Sequence, residues 1–375
     1  MADLFPPGSD KVRASNRETI CRVLSDGQVD GLRFLRRLNM FQRKQRAYVI
    51  AEIGGNFSDY ETAVKLIDKA AQCGVDAVKL QTYRAETIAS RQAVFDMENT
   101  GVVPQQELFR KGEISEALHQ KIFDYARTKG LDIFSTPSHI TDVEILERLH
   151  VDVYKLGADD LTNIPFLKTV ARLQKPIMLS TGMGTLSEVR EAVDAILEEG
   201  NEKIVIMHVA SIYPTAPQYV NLKAIQTLQR EFSQFAIGYS DHTLGVDSCI
   251  FAAVMGAEVI EKHFTYDKNA DGPDHILSAD PEEMKTMVDK IRLFEVMRGS
   301  GIKHPQGAEV KNRINNRKSL ICIKAKKMGE QLAAEDIEIK RPGTGIAPRE
   351  WDLVVGRYLA HDIEADTVLQ WTDIK

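Results

Sequence analysis

His242 and His263 stand 21 residues apart, inside Ser240-Asp241-His242 and Glu261-Lys262-His263. Neutral imidazole suits divalent transition metals, so this pair, with Asp241, Glu261 and Asp274-His275 in the same stretch of chain, is a candidate metal centre. The competing reading is two hydrogen-bonded core histidines and no ion. Lys79 and Lys155 form a second pair. Each is a compact charge able to hold a phosphate or a carboxylate, and Ser180 and Ser240 add hydroxyl donors. Either lysine could instead form a Schiff base with a carbonyl substrate, or pair with Glu52 or Glu261. Spacing alone does not rank these three.

All of these residues occupy equivalent places in a repeating pattern. From residue 47 onward short β-rich runs alternate with helical stretches. The runs are Ala47–Ile53, Ala77–Gln81, Asp132–Thr136, Val153–Gly157, Pro176–Thr181, Ile204–Val209, Ala236–Ser240 and Glu258–Phe264. Between the first two, Tyr60–Gln72 has apolar residues at helical spacing. Gly74, Gly130 and Gly256 mark helix ends. Eight βα units in about 250 residues predict a (β/α)8 TIM barrel, an α/β fold whose active site lies at the C-terminal ends of its strands. An open doubly wound sheet is the alternative, but no GxGxxG follows the first run. Polar residues gather at the predicted strand ends: Glu52; Lys79 and Gln81; Ser135-Thr136; Lys155; Ser180-Thr181; His208 and Ser211; Ser240-Asp241-His242; Glu261 and His263. Buried polar groups need partners, so such a set is better explained by a site than by a plain core.

The rest of the chain frames this barrel. Residues 1–46 hold ten Lys or Arg against five Asp or Glu and read as a solvated helical extension. A closing helix, Pro281–Met297, and a Gly/Lys-rich link lead from the barrel, placed at 47–300, to a small β-rich domain over 312–375. The segment Tyr83–Ser115 exceeds ordinary loop length and reads as a lid or a surface excursion. Ser180-Thr181-Gly182-Met183-Gly184 is a weak phosphate-loop candidate, or an ordinary turn with Ser187 capping the next helix. A hydrophobic share of 43% and a charged share of 27% over 375 residues exclude a disordered or fibrous chain. No apolar run is long enough to cross a membrane. A net charge of −6 gives no basic field for nucleic acid. Four separated cysteines read as reduced thiols of a cytoplasmic protein.

At these residues the sequence resembles the sialic acid synthase family, which condenses phosphoenolpyruvate with an N-acetylated hexosamine. The motifs are Ala51-Glu52-Ile53-Gly54-Gly55-Asn56, Val78-Lys79-Leu80-Gln81, Phe134-Ser135-Thr136-Pro137, Tyr154-Lys155-Leu156-Gly157, Leu179-Ser180-Thr181-Gly182-Met183 and Tyr213-Pro214-Thr215. The most specific are Gly238-Tyr239-Ser240-Asp241-His242-Thr243-Leu244-Gly245, Ile260-Glu261-Lys262-His263-Phe264-Thr265 and Gly272-Pro273-Asp274-His275. The tail, with Lys340-Arg341-Pro342-Gly343-Thr344-Gly345, resembles the antifreeze-like (SAF) domain of that family. The resemblance implies Mn2+, or Mg2+ or Co2+, on His242 and His263. It implies phosphoenolpyruvate held by Lys79, Lys155, Thr136, Ser180, Ser211 and Ser240, with Gln81 and Tyr213 lining the pocket. Glu52 becomes the acid/base candidate, with Asp274 near a metal-bound water. A domain-swapped homodimer follows, with Arg341 reaching the sugar in the partner's site. Two departures stand out: Phe57 where relatives carry the His of Asn-His, and Ala158-Asp159-Asp160 where they carry Ser-Gly-Glu or Ser-Gly-Asp. On this reading a phosphate-binding hydroxyl is lost and Asp160 becomes the acidic sugar contact.

Overall fold

The computed structural model describes residues 46–97, 101–270, 272 and 274–375. All but Arg46 of the N-terminal extension, and Pro273 of the Gly272–His275 motif, lie outside them. The chain divides into two compact units, one ending at Arg298 and one spanning Gly299–Lys375.

The first unit contains strands β1 Tyr48–Glu52, β2 Ala77–Thr82, β3 Val94–Met97, β4 Gly101–Pro104, β5 Asp132–Pro137, β6 Tyr154–Leu156, β7 Ile177–Ser180, β8 Ile204–Val209, β9 Ala236–Asp241 and β10 Val259–His263. Its helices are α1 Tyr60–Cys73, α2 Ala85–Ile88, α3 Gln105–Gly112, α4 Glu116–Thr128, α5 Ile140–Arg148, α6 Ile164–Ala171, α7 Leu186–Glu198, α8 Lys223–Glu231, α9 Asp247–Val254 and α10 Pro281–Arg298. Eight strands form one parallel sheet in the order β5-β2-β1-β10-β9-β8-β7-β6. The two ends of that order, β5 and β6, lie beside each other. The sheet therefore wraps into a (β/α)8 TIM barrel.

Period-two alternation sorts each strand between two cores. Tyr48, Ile50, Ala77, Phe134, Val153, Met178, Val205, Met207 and Val259 pack together inside the barrel. Their neighbours Val49, Val78, Ile133, Leu179, Ile206 and Ile260 pack outward against the helices. Helix α1 shows why those helices form. Asp59 accepts from Thr62 N at its start, Ala63, Leu66, Ile67, Ala70 and Cys73 make one buried face, and Gly74 ends it at φ 80°. Before α7 the cap is Thr185 rather than Ser187: Thr185 Oγ1 accepts from Glu188 N while Glu188 accepts from Thr185 N.

The segment after β2 folds into α2, an antiparallel β3–β4 hairpin and α3, so it is built structure rather than a bare excursion. Among the described residues no helix is long and apolar enough to cross a membrane.

In the second unit, α11 Glu309–Asn316 precedes a three-stranded antiparallel sheet of β11 Ser319–Cys322, β12 Ile337–Lys340 and β13 Thr367–Val368, ordered β12-β11-β13, with α12 Trp351–Val354 inserted. Leu320, Cys322, Leu332, Ile346, Val354, Leu359 and Leu369 form its core.

Candidate active site

At the C-terminal ends of the strands the inward positions change from apolar to ionic. Glu52 (β1), Lys79 (β2), Lys155 (β6) and Glu261 (β10) are all buried there. The register explains how they meet: Glu52 is level with Lys79 on one side and His263 on the other, and Glu261 is level with Ser240. Lys79 Nζ pairs with Glu52 Oε2, lies 3.9 Å from Glu261 Oε1 and donates to Thr136 Oγ1 at 2.9 Å. Lys155 Nζ and Ser240 Oγ each reach Glu261 Oε1 at 3.2 Å. Two ammonium groups and two carboxylates thus alternate in one network.

Burial works against every charge here, and the neighbours decide the outcome. Burial and the nearby Glu261 raise the Glu52 carboxyl above its usual range despite Lys79. Burial opposes the Lys79 ammonium, yet Glu52 and Glu261 outweigh it and hold its pKa up. Burial lowers Lys155, with only partial compensation from Glu261. Glu261, facing both lysines, ends below the ordinary carboxylate range although burial pushes the other way.

The histidines sit next to this network, ring centroids 5.3 Å apart, with Tyr213 stacked over His242 at 4.0 Å. His242 Nδ1 donates to Ala210 O at 2.9 Å, which leaves Nε2 as the lone-pair nitrogen. His263 Nδ1 is buried without a hydrogen-bond partner, 3.7 Å from Asp274 Oδ2. Burial lowers the pKa of His242 to about 4 and that of His263 well below its ordinary value, so both are neutral, the ligand form. Among the described residues no group of three or more His, Cys, Asp or Glu has metal-binding geometry. The donor set at this place is thus two neutral imidazoles with Asp274 beside His263. Burial and then the charge of Glu52 raise Asp274 to about 7. Gly55, at φ 77°, makes its approach possible, because Asp274 Oδ2 lies 3.1 Å from where a Cβ would stand.

Lys79, Gln81, Thr136, Lys155, Ser180, Ser211, Tyr213, Ser240, His242, His263 and Asp274 line one cavity of about 1160 Å³, with Glu52 directly behind Lys79. Three expectations need correction. Asp160 does not line this cavity: it is buried and accepts from Asn163 Nδ2 at 2.8 Å, while the adjacent Asp159 does line it. Asp160 was placed at the sugar by the resemblance alone, and it lies in the 3-10 turn Ala158–Asp160 beyond β6. Asp241 points away from the histidines and pairs with Lys262 on the outer face, because it sits one residue out of phase with Ser240. His208 likewise faces outward and bonds Val220 O. Arg341 is exposed in the second unit, just beyond β12.

Sequence reasoning named Glu261 both beside the histidine pair and as a possible lysine partner, and the structure places it between Lys79 and Lys155. The same reasoning read the segment after β2 as a lid or an excursion without naming the wall that Tyr83, Phe95, Val103, Leu108 and Phe109 supply to this cavity.

Fold and site define a TIM barrel with an ionic, histidine-bearing mouth, followed by a small β-rich unit. The chain belongs to the NeuB family, whose pattern matches residues 66–303, and an SAF domain matches residues 327–375. It is 40% identical over 337 residues to N,N'-diacetyllegionaminic acid synthase of Legionella pneumophila, covering 88% of this chain and 94% of that protein. It is 32% identical to pseudaminic acid synthase of Campylobacter jejuni serotype O:23/36, covering 89% and 98%. A crystal structure of N-acetylneuraminic acid (sialic acid) synthetase from Leptospira borgpetersenii, in complex with citrate, aligns with TM-score 0.65 and 29% identity over 72% of this chain and 90% of that one.

Proposed function

We propose that this protein condenses phosphoenolpyruvate with the open-chain aldehyde of an N-acetylated hexosamine, giving a nine-carbon sialic-type acid and phosphate. The observation that carries this reading is the alternation of Lys79, Lys155, Glu52 and Glu261 beside two neutral histidines in one cavity. Homology to synthases of this product class supports it.

Lys79 and Lys155 hold the anionic groups of phosphoenolpyruvate, exchanging their present carboxylate partners for substrate oxygens. Thr136, Ser180, Ser211 and Ser240 add hydroxyl donors. Ser211 compensates for the methyl of Ala158: Ser211 Oγ and Ala158 Cβ both stand where a side chain on Gly182 would go. Gln81 and Tyr213 shape the pocket, and Asp159, rather than Asp160, meets the sugar. A divalent ion on His242 and His263, Mn2+ in this reading with Mg2+ or Co2+ as substitutes, supplies Lewis acidity toward the aldehyde oxygen. Carbon 3 of phosphoenolpyruvate attacks the aldehyde carbon, water adds at carbon 2, and phosphate leaves by carbon–oxygen cleavage. Asp274, with a pKa of about 7, exchanges the proton at the new hydroxyl, and Glu52 serves the water. The active form is a homodimer in which Arg341 of one copy contacts sugar bound to the other.

The lowered pKa of Lys155 favours a second reading, a Schiff-base aldolase. One assay separates the two. Enzyme, phosphoenolpyruvate, Mn2+ and a panel of acetamido sugars should release phosphate, and chelator should abolish it. Absence of phosphate with every sugar overturns the synthase reading, and borohydride trapping of pyruvate on Lys155 would establish the aldolase.

A further inference from the structure

Of the two groups proposed to transfer protons, Glu52 closes strand β1, whereas Asp274 lies in the connection from β10 to α10. Strand register therefore cannot place the Asp274 carboxylate beside His263; other contacts must. The far end of the connection is anchored, for Ala279 N donates to His263 O at 2.7 Å and Thr265 N to Ala279 O at 3.0 Å. One turn leads back from there to Asp274, whose carbonyl accepts from Ser278 N at 3.1 Å and from Ser278 Oγ at 2.6 Å. Ser278 Oγ in turn accepts from Asn56 Nδ2 at 3.0 Å, and the second proton of that amide goes to Phe264 O at 2.9 Å. Asn56 stands just beyond β1 and is 2% exposed. Its amide has one workable orientation, since turning it over would set Oδ1 against the carbonyl of Phe264. With both donors spent this way, Oδ1 is buried without a hydrogen-bond partner, a cost that calls for a reason.

Resting on the synthase reading above, we infer that Asn56 is a positioning residue: through Ser278 it holds the backbone of Asp274 so that the carboxylate meets His263 at the barrel mouth. Consecutive residues thus serve the same aspartate. Gly55 leaves room for its side chain, and Asn56 fixes its main chain. Thr265 Oγ1 and His275 Nδ1, 2.7 Å apart, tie the next residue to the end of β10. A carboxylate that exchanges a proton with a new hydroxyl must lie within hydrogen-bond reach of it. A displacement of about 1 Å costs on the order of a hundredfold in rate. The groups assigned to phosphoenolpyruvate, Lys79, Lys155, Thr136, Ser180, Ser211 and Ser240, lie outside this relay, so losing it should spare that substrate's binding.

The test compares the full chain with Asn56→Asp, Ser278→Ala and Ser278→Thr, read as phosphate release and as amide hydrogen exchange. Asn56→Asp keeps the shape of the side chain and removes both donors. It should lower kcat by about 10- to 100-fold while KM for phosphoenolpyruvate changes less than about twofold. Ser278→Ala should lower kcat on the order of tenfold, and Ser278→Thr, which keeps the hydroxyl, should retain most of it. Amides of residues 274–280 should exchange faster in Asn56→Asp and Ser278→Ala, with those of the barrel strands unchanged. Unchanged kcat in both variants overturns the inference and leaves the synthase reading intact. A fall in kcat with a matching rise in KM for phosphoenolpyruvate, or with no local change in exchange, also overturns it. Absence of phosphate release from the wild-type chain overturns the synthase reading and, with it, the purpose given to Asn56. Where Asn56→Asp fails to fold, the two Ser278 variants decide.

Discussion

Two ionic clusters occupy the same two strands, one residue out of phase. Inside the barrel, Ser240 and Glu261 join Lys79, Lys155 and Glu52. Outside it, Asp241 and Lys262 pair at 2.6 Å, both side chains fully buried. Every polar side-chain atom of the outer cluster has a partner: Asp241 also accepts from Tyr239 Oη at 2.7 Å and Thr243 Oγ1 at 3.0 Å, and Lys262 also donates to Thr243 O. The inner cluster differs: Glu261 Oε2 and His263 Nδ1 lack hydrogen-bond partners and the lysines face a cavity. Buried charge alone therefore does not mark a site. Unfilled bonding capacity next to open space does.

Substitutions that remove one cation from each cluster should separate these roles. Lys155→Met should cut phosphate release on the order of a hundred- to a thousandfold, because it removes a charge that the proposed reaction uses. Its cost in stability should be smaller, since Glu261 keeps Lys79 and Ser240. Lys262→Met should do the reverse and cost about 3–5 kcal/mol, read by urea unfolding, because Asp241 is left buried and unpaired. Replacing both Lys262 and Asp241 with apolar residues should restore most of that loss. Equal destabilisation by Lys155→Met and Lys262→Met would break the comparison.

A third buried carboxylate sharpens it through pH. Asp160 has a pKa raised to about 6 by burial, opposed only by Asn163, and the charge of Asp159 raises it further. Its folded pKa exceeds the unfolded value, so the native state holds the proton longer and stability falls as pH rises from about 4 to 6. Asp241 acts oppositely. Burial would raise it, but Lys262 and the surrounding donors hold it low, so it adds stability above pH 4 that is lost on acidification. Asp160→Asn should remove a decline of roughly 2–3 kcal/mol at most, followed by thermal midpoint across that range. The same residue shows where the sequence stops being legible. The barrel, the polar strand ends and the inward phase of Lys79, Lys155 and His263 all follow from a period of two. That period also places Asp241 outside, a signal overridden by grouping it with its histidine neighbour. Which of Asp159 and Asp160 enters the cavity depends instead on a 3-10 turn fixed by Asn163. Nor could the sequence show that the segment after β2 returns as an apolar wall, since that packing joins residues distant in the chain.

The smallest expected effects come from adjacent hydroxyls on β9, and they test the comparison at single-residue resolution. Tyr239 Oη donates outward to Asp241, whereas Ser240 Oγ donates inward to Glu261. Tyr239→Phe removes one of several donors to a buried carboxylate and should cost about 1–2 kcal/mol in urea unfolding. Phosphate release should be unchanged at temperatures where the variant is folded. Ser240→Ala should leave unfolding within about 0.5 kcal/mol of the parent, because Glu261 retains both lysines. It should instead raise KM for phosphoenolpyruvate several-fold. If Tyr239→Phe altered KM, or if Ser240→Ala lost stability without altering KM, the strand wall would not divide structural from reacting charge, and the outer pair would have to be counted as part of the site.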